Sequence, residues 1–416
     1  MSGRGRERAG GGTRGSKGRA VAGAADDSTL PPTVIVTGQL LRGDCAEAGS
    51  VVIEHGQIVE LAYGTALNDP AARHSHIPQG LILPGLIDLH VHGIGGYAVF
   101  ADREQLRWAG RKLAACGVTG FLASVPVLPW DMMQQACRML AAATADRDPP
   151  NLLGIHVEGP HLSPARPGSQ SPSLLRPASL ADYRALRAAG GNALRVMTIA
   201  PELPGAHEVI EACRRDGTVA AMGHTNADFE QAQAGFEAGI THVTHLYNAM
   251  RGFHHRSPGA IAAALVRPGV TAELILDGEH IARGAWELAR RALGPERLVL
   301  VSDQLPCSGA GQDARLWDGR PVRPAGRRLT LDDGTLAGSA ISLLDAVWKA
   351  RQWGAGWAEA VAGASRVPAS VLGLGARKGN LLPGMDGDLC VVAPGQEPQV
   401  LLTLIGGRVV AGLAET

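Results

Sequence analysis

Two hydrophobic rhythms alternate through the middle of the chain. Short apolar runs rich in Val, Ile and Leu read as buried strands at residues 86–92 (LIDLHVH), 117–125, 152–160, 194–202, 218–225, 240–250, 272–281 and 298–304. Between them lie Ala/Leu/Arg-rich stretches such as REQLRWAGRKLAAC, LADYRALRAAG and AHEVIEACRRDG, whose apolar positions recur at helical spacing. Strands separated by helices in this way predict an α/β fold, a parallel (β/α)8 barrel. A doubly wound open sheet is the alternative, and the lack of a GxGxxG after the first strand weakens it.

The two ends have a different texture. TVIVTGQLLRG and SVVIEHGQIVELAYG near the start, and GDLCVVAPG and QVLLTLIGGRVVAGL near the end, read as short strands around Gly turns. Residues 33–82 and 384–416 are therefore expected to pair into one small β-sandwich domain, with the barrel, 83–383, inserted between them. Residues 1–32 are Gly, Arg, Ala and Ser with few large apolar side chains, and are expected to be a disordered, solvated basic tail.

Composition narrows the classes. Lys+Arg and Asp+Glu are equal at 39 each in 416 residues, so charge gives no pull toward nucleic acid or a membrane surface. No apolar run approaches the roughly 18–20 residues of a membrane-spanning helix, and no apolar signal core follows the basic start. Cys45, Cys116, Cys137, Cys213, Cys307 and Cys390 are scattered without a CxxC pair. That usage suits a reduced, cytoplasmic protein.

In a barrel of this type the chemistry sits where the strands end. Here those ends carry His90 and His92, then Glu158 after His156, then His224, His245, the pair Asp277 and His280, and Asp303. Residues i and i+2 of a strand share a face, so His90 and His92 project together while Val91 turns away. Imidazoles and a carboxylate converging from several strands suit zinc, iron or a related divalent ion. Such an ion activates water and polarises a carbonyl. Asp303 can take the water's proton and later deliver one to a leaving amine, and a further His can stabilise the carbonyl oxygen. Together these steps describe amide hydrolysis.

The motifs are also recognisable as a set. PGLIDLHVHG resembles the amidohydrolase superfamily. HVEGP, APE, GHT, THLYNAM, HHRSPG, DGEH, VSDQ and LAGS, in that order, resemble its N-acetylglucosamine-6-phosphate deacetylases, and KGNLLPGMDGDLCVV fits the same family. The resemblance implies release of acetate from N-acetylglucosamine 6-phosphate. It implies Glu158, His224 and His245 as the main metal ligands and Asp303 as general base, then acid. His280 would contact the substrate and polarise its carbonyl. Asn248, the Ala249 backbone, Arg256 and His255 would hold the sugar phosphate. One divalent ion is the reading adopted, with His90 and His92 beside it; a second ion held by His90, His92 and Asp303 is the alternative. The resemblance also implies a homodimer. Where the family usually carries Gly-Ala-His, this chain has Gly168-Ser169-Gln170-Ser171, a His replaced by Gln170 or Ser171. Gln cannot carry charge, which keeps the galactosamine isomer open as substrate. A cyclic-amidase-type hydrolase usually needs a Lys on the fourth barrel strand, and LRVMTIAPE has none.

Other residues receive plainer readings. His161 is read as facing the pocket or lying on a rim loop. His207 reads as a surface or capping residue, and His254 as a neighbour of the phosphate contacts. His242, of opposite parity to His245, is expected to point outward to the helices in a structural role. Cys307 reads as a buried thiol and LAGS, Leu336–Ser339, as a pocket-edge loop. Trp317, Trp348, Trp353 and Trp357 are expected to fill core or interface.

Overall fold

A computed structural model describes residues 33–309 and 313–412. The tail expected at residues 1–32, and the last four residues of the expected C-terminal β segment, lie outside them. The described residues fall within one compact unit.

Four strands come from the start of the chain: β1 (Thr33–Arg42), β2 (Cys45–Glu54), β3 (Gln57–Tyr63) and β4 (Arg73–Pro84). With Leu389–Val392, Val400–Ile405 and Arg408–Gly412 from the other end they form a separate seven-stranded sheet, the small β domain. Its core gathers side chains from both ends, among them Val36, Val51, Ile53, Ile82, Val391 and Leu404. The apolar run Leu81–Gly93 is not one strand. It breaks at Gly85, where a Cβ would stand 2.0 Å from Thr119 Oγ1, and its halves enter different sheets. The residues before the break pair antiparallel with Leu389–Val392; those after it open the barrel.

The barrel strands are β5 (Leu86–Val91), β6 (Val118–Val125), β7 (Leu152–Glu158), β8 (Leu194–Ile199), β9 (Val219–Met222), β10 (His242–Val243), β11 (Thr271–Ile275) and β12 (Leu298–Val301). They form an eight-stranded parallel sheet in sequence order. Between its two end strands, Val91 bridges Gln304, and the backbone N–H of Asp303 donates to the His90 carbonyl at 2.8 Å. Asp88 reinforces that seam: its Oδ1 accepts from the backbone N–H of His90 and of Ser302.

Alternation along each strand divides the core in two. Phe121, Ala123, Ile155, Val157, Met197, Ala220 and Leu274 pack outward with helix residues such as Leu113, Leu140, Val209 and Trp286. Ile87, Leu89, Leu122, Val196, Ile275, Val299 and Val301 cluster with Ala362, Val367 and Leu372 from the short C-terminal helices. The other inward positions, beyond this apolar plug, carry polar groups.

Candidate metal centre and active site

Five strand ends meet around Glu158. Glu158 Oε1 lies 2.9 Å from His224 Nε2 and 3.2 Å from His245 Nε2. Its Oε2 is 3.3 Å from His92 Nε2. Asp303 Oδ1 stands 3.5 Å from Nε2 of both His90 and His92. The donors thus form two nests, His224/His245 and His90/His92, that share Glu158. All six residues are buried.

The backbone bends to make this convergence. His224, His245, Tyr247, Ala249 and Asp303 all have positive φ, at 47°, 29°, 81°, 50° and 47°. Such conformations cost about 1–3 kcal/mol each and persist where surrounding structure enforces them, typically at functional sites. They also explain why 240–250 is not the long strand expected. Only His242–Val243 is strand, and the chain then turns to aim His245 inward. Gly168 (φ 58°) closes against the site: a Cβ there would stand 3.0 Å from His224 Cε1 and 3.2 Å from Ala249 Cβ.

Hydrogen bonds behind the imidazoles fix which nitrogen faces inward. His90 Nδ1 donates to Glu273 Oε2 at 3.1 Å, His92 Nδ1 to the Ser124 carbonyl at 3.1 Å, and His224 Nδ1 to the Arg166 carbonyl at 3.2 Å. Each then presents Nε2 as the inward atom. His245 Nδ1 has no partner among the described residues. His156 is not a ligand: its ring is held between Ser124 and Thr198, and burial, with His90 nearby, pushes its pKa down to about 3.

The electrostatics call for positive charge. Burial opposes a charged His90, yet Asp303, Glu158 and Glu273 together raise its pKa to about 10. Burial would raise Glu158 and Glu273; the facing imidazoles hold both carboxyls well below the usual range. Distances agree with the same conclusion. Two nitrogens each about 2.0–2.1 Å from one ion lie about 3.0–3.4 Å apart. Here His224 and His245 Nε2 are 3.0 Å apart, and His90 and His92 Nε2 are 3.3 Å apart. Imidazoles and carboxylates at these spacings fit a divalent metal, whose charge would replace the proton that the carboxylates otherwise hold on His90.

Residues 81–410 match the model of the Amidohydrolase family. The chain belongs to that family. It is 34% identical over 392 residues to an N-acetylglucosamine-6-phosphate deacetylase of Bacillus subtilis (strain 168), covering 92% of this chain and 97% of the relative. It is 33% identical over 307 residues to an N-acetylgalactosamine-6-phosphate deacetylase of Escherichia coli O157:H7, covering 73% and 81%. Among solved structures it resembles a mutant N-acetyl-D-glucosamine-6-phosphate deacetylase from Mycobacterium smegmatis in complex with N-acetyl-D-glucosamine-6-phosphate. That likeness has a TM-score of 0.83 at 29% identity, over 91% of this chain and 99% of the other. The resemblance read from the motifs is borne out.

The remaining residues of this amidohydrolase divide into two groups. His280 is buried at its ring, with Nδ1 2.6 Å from Asp277 Oδ2, and Asn248 Nδ2 donates to the Leu246 carbonyl. Ala249, at positive φ, lies against Gly168. His255 and Arg256, by contrast, are exposed, with Arg256 Nη1 2.9 Å from His255 Nε2, and no hydrogen bond or ion pair joins them to the cluster among the described residues. The His254 ring lies tilted against that of His255, centroids 4.4 Å apart, and His207 is exposed near the start of its helix.

Several expectations change. His242 faces inward, not toward the helices: its Nε2 lies 3.1 Å from Glu273 Oε1, because the turn after Val243 breaks the parity argument. His161 is fully buried, not on a rim, with Nδ1 donating to the Arg176 carbonyl at 3.3 Å. LAGS is a strand beside Asp303, whose carbonyl accepts from the Ser339 backbone N–H. Trp317 packs 5.3 Å from the His92 ring. It also lines a side cavity of about 600 Å³ with Phe100, Leu128, Met132 and Pro306, which no side chain of the Glu158 cluster lines. Cys307 is a buried thiol in a small apolar cluster with Leu305 and Leu316. Sequence reasoning missed Glu273 altogether; its only signal was an acid in the apolar strand AELIL.

Proposed function

We propose that this amidohydrolase removes the acetyl group of N-acetylglucosamine 6-phosphate, giving glucosamine 6-phosphate and acetate. The observation that carries this reading is the Glu158-centred ligand set with Asp303 against it. The deacetylase relative that aligns with 92% of the chain supplies the substrate. Zinc or iron suits the donors. We read two ions: Glu158, His224 and His245 would hold one, and His90, His92 and Asp303, beside the same Glu158, would hold the other. This departs from the single-ion expectation because His90 and His92 turn Nε2 to the same carboxylates that serve the other nest.

When bound, a divalent ion lowers the pKa of water toward about 7 and polarises the acetamide carbonyl. Asp303 takes a proton from the attacking water and returns one to the amine nitrogen as the C–N bond breaks. Asp277 accepts from His280 Nδ1 and orients the ring, whose Nε2 donates to the substrate carbonyl when the ring carries both protons. Asn248 and the Ala249 backbone hold the sugar, and Arg256, with His255, meets the phosphate through its permanently charged fork. We read the protein as a homodimer, because Phe253, 59% exposed, and its neighbours His255 and Arg256 offer a loop that a second copy would cover. The unpaired thiols support a cytoplasmic setting.

The test is acetate release by zinc- or iron-loaded protein from N-acetylglucosamine 6-phosphate, its galactosamine isomer and unphosphorylated N-acetylglucosamine. The first should be preferred. Preference for the isomer would favour the second reading, which the 33% identical relative motivates. Equal rates with and without phosphate would remove the role of Arg256.

A further inference from the structure

Gln170 lies in the segment where the family usually carries a histidine. It is buried, 2% exposed, and both ends of its amide are used. Nε2 donates to Glu158 Oε2 at 2.5 Å, and Oε1 accepts from the Val127 backbone N–H at 3.0 Å. Because Oε1 is engaged by a backbone donor, the amide cannot flip without leaving two donors face to face. The segment is held from behind as well. Arg320, paired with Asp318 at 2.6 Å, donates to the Ser169 carbonyl at 2.5 Å.

The bond lands on one particular oxygen. Glu158 Oε1 faces His224 and His245, with His90 Nε2 farther off at 3.6 Å, whereas Oε2 faces His92 and receives Gln170. The amide therefore fixes the rotation of the carboxylate about its last bond. It also takes up one lone pair of the oxygen that faces His92.

We propose that Gln170 is a positioning residue that divides Glu158 between the two nests and sets the affinity of the His90/His92 nest for its ion. The inference rests on the reading of Glu158 as a shared ligand. Hydrogen-bond partners behind metal ligands change affinity by about 10- to 100-fold when removed. Here the effect falls on one nest, because only Oε2 is held.

The experiment is stepwise Zn²⁺ binding to chelator-stripped full-length protein, by competition with a chromophoric chelator, with Co²⁺ absorption as the spectroscopic check. Wild type should take two ions. Gln170→Leu should keep the first within about threefold and weaken the second by about 10- to 100-fold. Gln170→His, which keeps an N–H within reach of Glu158, should restore most of that loss. If Gln170→Leu does not fold, Arg320→Leu frees the Ser169 carbonyl, leaves Gln170 in place and should shift the second affinity in the same direction. Equal loss at both steps, no loss at either, or a wild type that takes one ion overturns the inference. A wild type that takes no ion removes the metal-hydrolase reading itself.

Discussion

Replacing Glu273 with Gln keeps its shape and removes its charge. The carboxylate is wholly buried and accepts three hydrogen bonds at 3.1 Å, from His90 Nδ1, His242 Nε2 and the His245 backbone N–H. Two of them land on Oε2 and one on Oε1. A Gln amide can keep the Oε2 pair if it turns its NH₂ toward His242. His242 can accept that bond, since its Nδ1 faces Thr271 Oγ1 at 2.7 Å, a hydroxyl able to accept while donating to the Thr241 carbonyl. What changes is strength. Hydrogen bonds to a charged group contribute about 1.5–3 kcal/mol and neutral ones about 0.5–1.5, so the retained pair weakens by about 2–3 kcal/mol. Relief of the buried carboxylate's desolvation offsets part of this, leaving about 1–2 kcal/mol net. Glu273→Leu instead orphans three buried donors at about 1–3 kcal/mol each, for about 3–9 kcal/mol. Urea unfolding of the chelator-stripped proteins measures both. Zinc competition should add a loss of about 10- to 100-fold at the His90/His92 nest, because His90 is no longer held by a carboxylate. If Glu273→Leu unfolds no more easily than Glu273→Gln, and both bind zinc like wild type, the buried acceptor is not what holds these histidines.

The other predictions are independent of that residue. Asp303→Asn should fold and lose about 10²- to 10⁴-fold in kcat, the usual worth of a general base; full turnover would assign the proton transfer elsewhere. Arg256→Ala should lower kcat/KM for the phosphorylated sugar by about 10- to 100-fold, the equivalent of one charged hydrogen bond, and leave the unphosphorylated sugar unaffected. Gly168→Ala forces a Cβ toward His224 at a φ of 58°, so zinc analysis should show weakened retention and melting should fall by the equivalent of about 1 kcal/mol or more. Zinc at about 100 times its Kd should stabilise the stripped protein by about 2.7 kcal/mol, and an unmoved melting curve would speak against a bound ion.

Local pattern was enough for the barrel and most of the cluster. Strand and helix periods are local, and a barrel of this kind puts its chemistry where strands stop, so His90, His92, Glu158, His224, His245 and Asp303 can each be read at the end of its own run. The two-ended β domain is legible for the same reason. Tertiary structure decided the rest. Glu273 meets His90 across 183 positions, and nothing near either residue in sequence announces the other. Gln170 stands on a loop, where neither period nor parity says which atom it faces, and its bond to Glu158 exists only because that loop folds back over the barrel. Parity misleads at His242 because it holds only while a strand continues, and this one ends after Val243. Whether His90 and His92 face the same carboxylate as His224 and His245 depends on barrel closure, which brings the first strand beside the last. Local patterns fix which groups a strand end can offer. Their distances, tautomers and shared acceptors arise only when distant strands pack together and exclude water.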